Sequence, residues 1–262
     1  MPLPSTRLPW HTLERDAQRV IRPAVVKHLA AARAAHSAVR AALQMSATLQ
    51  SRVGRAARNV QARLLLRISA DLHLIEHSAT RGYMLQALTL TATVHELTFA
   101  IGFIGSDDAR AATWEGHTKD YDTFPKLKQR QEAVRATLIG LGVDGSRLED
   151  EIERFEKNYR FLCMAKHGNP ILQKNWGALV KEDSLSLFHG PFVSPDTTRQ
   201  AKQVLYAATE LVWLATGSYM SAWFDGASQA SRNRARRQMT RLEQLRWEAQ
   251  FFPRKPPAER AN

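Results

Sequence analysis

The sequence predicts an all-α fold: a helical bundle with a long N-terminal helix and a basic C-terminal helical tail. Three observations carry that expectation. Apolar residues recur at three- and four-residue spacing along most of the chain, and helix start and stop residues bracket those runs. No stretch sustains the period-two alternation of a half-buried strand.

Residues 1 to about 10 are Pro-rich and expected to be loose. From Leu13 to about Arg52 the sequence is rich in Ala and Arg and reads as one long helix, which Pro23 either kinks or starts. Arg33, Arg40, Arg52, Arg55 and Arg58 give it a basic flank, the ordinary solvated side of an Ala-rich helix. Gly54 separates it from a second helix, about Ala56 to Thr80. A third, Met84 to Ile104, is close to apolar all round and is the expected central helix. Gly105 ends it. Ser106 is then expected to cap a short helix whose first turn holds Asp107 and Asp108, as the helix dipole prefers. Phe124 to Leu141 reads as an amphipathic helix closed by Gly142.

The next helix opens at an S-x-x-E capping box, Ser146 and Glu149, and must stop at Gly168, Asn169 and Pro170. Ile152, Phe155, Tyr159, Leu162 and Cys163 give it an apolar stripe. A polar connection, about Ile171 to Val193, shows no convincing period. Ser194 and Pro195 are expected to start the last core helix, Ser at the N-cap and Pro at the first position, running to about Phe224. Beyond Gly226 the composition shifts, with six arginines between Arg232 and Arg246. The expected division is an N-terminal extension over 1–55, a bundle over 56–225 and a basic tail over 226–262.

The chain of 262 residues, 44% apolar with six Trp, is long enough to bury a substantial core. Its net charge of +12 leans toward polyanions, nucleic acid first and anionic membrane surface second. The single cysteine, Cys163, excludes an internal disulfide and fits a reducing, cytoplasmic setting. The N-terminus lacks the apolar segment of a secretory signal. Val204 to Phe224 is free of Lys and Arg and is nearly long enough to span a bilayer. However, Glu210 lies inside it, so a buried bundle helix explains it better and no membrane insertion is expected.

The chemistry-bearing stretch is EIERFEKNYRFLCMAKHGNP, Glu151 to Pro170. Arg160 and His167 are seven residues apart, about two helical turns, so they leave the helix on nearly the same side. His167 sits near the helix end, where an imidazole can donate or accept a proton. Arg160 offers a planar fork of donors suited to phosphate. A proton shuttle beside an anion clamp is much of what transesterification at an RNA phosphodiester needs. The plainer reading weighs equally: a surface Arg and a helix-terminal His stabilise any helix C-terminus.

Those residues carry a resemblance. Y-R-F-L-C-M-A-K-H-G-N-P resembles the R-x4-6-H signature of HEPN domains, helical bundles of toxin, abortive-infection and RNA-cleaving defence proteins. It is most similar to a branch whose motif helix has Tyr-Arg before the spacer and ends in His with Pro close behind. The likeness extends over roughly Ala56 to Phe224. It implies a metal-independent endoribonuclease needing no cofactor, working as a homodimer whose two Arg/His pairs meet in one cleft. Arg160 and His167 are then the catalytic pair, with RNA as substrate and an antitoxin or other protein as a further partner. Many active members carry a small polar residue directly after the arginine, where this chain has Phe161. That departure favours the alternative, a non-catalytic HEPN-like module that binds nucleic acid or protein.

Lys166 and Asn169 flank His167 and are candidate phosphate or ribose contacts; Asn169 also serves to end the helix. Arg232, Arg234, Arg236 and Arg237 are candidate RNA-backbone contacts, or a solubilising or self-docking tail. Tyr159 and Glu96 are candidate supports. Glu96, beside His95 in the most apolar helix, needs a partner such as Arg81 or Arg160. His73, Glu76 and His77 match H-x-x-E-H, a zinc-hydrolase pattern that still lacks a third ligand. A polar surface cluster is the better expectation there, and no metal is assigned.

Overall fold

A computed structural model describes residues 10–116, 127–143, 145–167, 179–181, 184–186, 191, 193 and 196–249. These form nine helices and one short hairpin, in the order α1 (Trp10–Ala24), α2 (Val26–Ala47), α3 (Arg55–Thr80), α4 (Met84–Ile104), α5 (Asp108–Glu115), α6 (Leu127–Gly140), α7 (Gly145–Lys166), β1 (Leu179–Lys181), β2 (Ser184–Ser186), α8 (Thr197–Trp223) and α9 (Gln229–Glu248). The all-α expectation holds. The hairpin pairs Leu179 with Ser186 in antiparallel register inside the polar connection, and strands of three residues are too short to show a period in sequence.

α4 and α8 are the centre of the bundle. α4 packs against α3, α5, α6, α7 and α8, and α8 also meets α2, α3, α6 and α9. α4 is long and apolar enough to cross a membrane, and 61% of its apolar window is buried against the rest of the protein. Polar pairs fix the packing. Tyr219 of α8 and Ser46 of α2 share a hydrogen bond of 2.5 Å. Trp223 Nε1 donates to Gln61 Oε1 at 2.7 Å, and Gln61 Nε2 donates to the Ile101 carbonyl at 2.7 Å, which joins α8, α3 and α4.

Pro23 lies in the final turn of α1, so the single long helix expected at the N-terminus is two helices meeting at Val25. α2 buries Ala31, Ala32, Ala35, Ala38 and Ala42, small side chains that let α9 and α8 approach closely. On α9, Ala235, Met239, Leu242 and Arg246 are buried. Residues from α1, α2 and α9 therefore share one core cluster with α3, α4 and α8.

Helix starts differ from expectation in detail. The N-cap of α5 is Asp107, not Ser106; its carboxylate accepts from the backbone N–H of Ala109 (2.8 Å) and Arg110 (3.1 Å). Asp108 instead accepts from the Ala57 N–H at 2.8 Å. It thereby caps the first turn of α3, whose own N-cap, Gly54, has no side chain to do so. α8 begins at Thr197 behind Asp196; Ser194 and Pro195 lie outside the described residues. Glu149, expected to close a capping box, pairs with Arg135 of α6 at 2.6 Å, and the Ser146 side chain lies outside the described residues.

Candidate nucleic-acid site

α7 presents two faces. Leu148, Ile152, Phe155, Leu162 and Ala165 are buried, and the helix lies on α4 and α6. Tyr159 and Cys163 of the expected stripe are half-buried at its edge. Arg160, Lys166 and His167 are exposed. Seven residues of helix carry Arg160 and His167 about 10 Å apart along the axis, within roughly 20° of the same direction. The His167 N–H still donates to the Cys163 carbonyl at 3.0 Å, so its backbone continues the helical ladder. Gly168, Asn169 and Pro170 lie outside the described residues, and with them the expected contact from Asn169.

The cations of α7 have different surroundings. Lys157 pairs with Glu153 at 2.7 Å, and Arg154 with Glu151 and Glu210. Lys166 Nζ lies 2.7 and 2.8 Å from the two Glu96 oxygens. Glu96 therefore finds its partner in Lys166 rather than in Arg81 or Arg160, and fixes Lys166 beside His167. Arg160 has no acidic or hydrogen-bonding partner among the described residues, so its donor fork is open to an anion.

Tyr159 is held from behind. Its ring stacks on His95 of α4 (centroids 5.0 Å, 27°), and Phe99 meets both rings edge-on, 4.4 Å from His95 and 6.2 Å from Tyr159. His95 is fully buried and contacts the Phe155 carbonyl through Nε2 at 3.4 Å. This aromatic stack braces the turn that carries Arg160.

A second charged cluster has only a faint trace in the sequence. Glu210 of α8 is 1% exposed and receives Arg246 of α9 at 2.8 Å, Tyr206 Oη at 2.6 Å, and Arg154 of α7. Burial favours the neutral acid, but the two guanidiniums outweigh it and hold the Glu210 carboxyl below the ordinary range. Burial and the Glu210 charge push the Tyr206 phenol up. Arg246 also lies over the Trp213 ring, 4.3 Å from its centroid. Glu210 is visible in the sequence as the lone acid of an apolar segment, but its partners come from helices distant along the chain. Arg246, counted among the basic residues of the C-terminal run, is buried and ion-paired.

The other arginines of α9 stay outside. Arg234, Arg236, Arg237 and Arg241 are exposed and Arg232 is half-buried. Arg232 and Arg236 lie over the Phe224 ring at 5.6 and 4.8 Å. α2 packs against α9 and carries exposed Lys27, Arg33 and Arg40 with no acidic residue, so basic residues rise on both helices of the pair.

Two of the three H-x-x-E-H residues, His73 and Glu76, meet His36 of α2. His36 Nε2 and Glu76 Oε1 are 2.9 Å apart, His36 Nδ1 and Ser69 Oγ 2.9 Å, and His36 meets His73 edge-on at 6.4 Å. His77 turns to Arg81. Among the described residues no group of three potential ligands could hold a metal ion, so His73 and His77 gain no third ligand there. No protein-family model, curated protein or solved structure matches the chain significantly.

Proposed function

We propose that the protein is a HEPN-like, metal-independent endoribonuclease. The observation that carries the reading is the joint exposure of Arg160 and His167 on one side of α7, with Arg160 open to an anion. Arg160 clamps the scissile phosphate and offsets charge on the phosphorane. His167 moves the protons: one leaves the 2′-hydroxyl as its oxygen attacks phosphorus, and one reaches the departing 5′-oxygen. A second copy of the chain brings a second Arg/His pair, so that one imidazole is base while the other is acid. Lys166, its charge offset by Glu96, keeps a third N–H beside His167 for a phosphate or ribose oxygen, and the exposed arginines of α9 hold the RNA backbone. An antitoxin or other inhibitory protein is the expected further partner.

The products test this chemistry. Incubated with matched RNA and DNA in EDTA, the protein should cut only the RNA and leave 2′,3′-cyclic phosphate and 5′-hydroxyl ends. Cleavage of the DNA, or 5′-phosphate ends, would contradict attack by the 2′-hydroxyl.

A second reading, a non-catalytic module that binds RNA or protein, draws on Phe161. It packs half-buried against the core and puts no polar group next to Arg160. Salt-dependent RNA binding with no cleavage product would favour it.

A further inference from the structure

Directly beside Arg160, between α4, α6 and α7, lies a pocket of about 120 Å3. Its wall is almost wholly apolar, built from Phe99, Val134, Ile152, Phe155 and Tyr159. Three polar side chains line it as well: Arg160, Gln131 and Glu156, the last two hydrogen-bonded to each other. An enclosed apolar cavity of about 150 Å3 accepts benzene, so this smaller, partly open one takes one ring at most. A fused bicyclic ring would leave part of itself in water. Tyr159 on this wall is packed from behind, stacked on the buried His95 and met edge-on by Phe99.

An aromatic slot adjoining an open guanidinium selects a planar ring that carries an anion. Gln131 and Glu156 line the same pocket but are engaged with each other, so the slot's size and apolar wall do the selecting. We propose that this pocket is a base-binding subsite that takes one pyrimidine of the RNA, with the adjoining phosphate on Arg160. The inference rests on Arg160 as phosphate clamp in the nuclease reading, and it assigns that site a preference for uridine or cytidine over purines. The free energy comes from stacking and apolar burial, and selectivity comes from the size of the slot.

The test reads binding, not cleavage, by NMR titration of the full chain with uridine 3′-monophosphate, uridine and adenosine 3′-monophosphate. Uridine 3′-monophosphate should bind tightest, ahead of uridine for lack of a phosphate and ahead of the adenosine nucleotide for size. Val134→Phe fills the slot and should weaken the uridine nucleotide by on the order of tenfold, the size of one stacking contact. Val134→Ala widens it and should narrow the gap between uridine and adenosine nucleotides; this variant decides the matter if Val134→Phe does not fold. Equal binding of the two nucleotides by wild type, no nucleotide binding, or selectivity unmoved by Val134→Ala would overturn the proposal. Pyrimidine binding by a protein that cuts no RNA would sink the nuclease reading and leave the subsite standing. RNA cleavage without nucleotide selectivity would do the reverse.

Discussion

Arg246 Nη1 lies 2.8 Å from Glu210 Oε1, an ion pair that joins α9 to the buried face of α8. The same carboxylate receives Arg154 from α7 on its other oxygen. The helix carrying Arg160 and His167 and the helix carrying the exposed arginines are thus both anchored to one carboxylate. A charge taken out of water is costly alone, and two guanidiniums with Tyr206 offset that cost here.

Removing the Glu210 charge leaves the buried Arg246 guanidinium without an acidic partner and Arg154 with Glu151 alone. Glu210→Gln should lower unfolding free energy at neutral pH by about 3–5 kcal/mol, read from urea denaturation. A decrease under about 1 kcal/mol would mean that water or other groups compensate the arginines. The pH dependence follows from the sign of the shift. The folded carboxyl sits below its unfolded value of 4.5, so its contribution is present above that pH and disappears as pH falls through the folded value. Glu210→Gln should lack that component of acid destabilisation.

His28 gives a second, separable acid limb. It is 7% exposed on α2, neither ring nitrogen has a partner among the described residues, and burial followed by the Lys202 charge lowers its pKa to about 4. The unfolded imidazole takes a proton near 6.5, the folded one only near 4, so stability is intact above the first value and declines between the two. His28→Leu should flatten that decline, which in wild type reaches up to about 1.4 kcal/mol per pH unit. An unchanged slope between those pH values would contradict a neutral buried His28.

Gly54 occupies the left-handed region at φ +69°, and a Cβ there would meet the Trp223 ring at 2.7 Å. Gly54→Ala combines backbone strain with a clash against a ring that is itself hydrogen-bonded to Gln61. It should cost about 2–4 kcal/mol by thermal or urea denaturation, with a cost near zero contradicting the packing.

The exposed arginines of α9 separate binding from stability. Changing Arg234, Arg237 and Arg241 together to Ala should leave stability within about 1 kcal/mol. RNA affinity should fall, and the slope of log affinity against log salt should shrink by roughly 0.7–0.9 for each phosphate no longer neutralised. An unchanged slope would remove α9 from the RNA-binding surface.

Elements with a strong local signal are legible in the sequence: the bounds of α4 can be read to the residue, because its apolar run lies between clear breakers. Cap choice is not, since Asp107 and the adjacent Ser106 are both good N-caps and only the docking of Asp108 onto α3 decides between them. Long-range partners are also hidden. Glu96 to Lys166 spans 70 residues and Arg154 to Glu210 spans 56. One-dimensional spacing carries no signal for such pairs. Arg160 and His167 are legible because their relation is helical and local. The slot beside Arg160 is not, because Phe99 and Val134 come from two other helices.

Cleavage of an RNA pool in EDTA by wild type, Arg160→Ala and His167→Ala, each checked for native helicity, tests the central claim most directly. Wild type should cut, and both variants should lose activity by at least about a hundredfold. Undiminished cleavage by folded His167→Ala, or a wild type that cuts only when a divalent metal is restored, would contradict it.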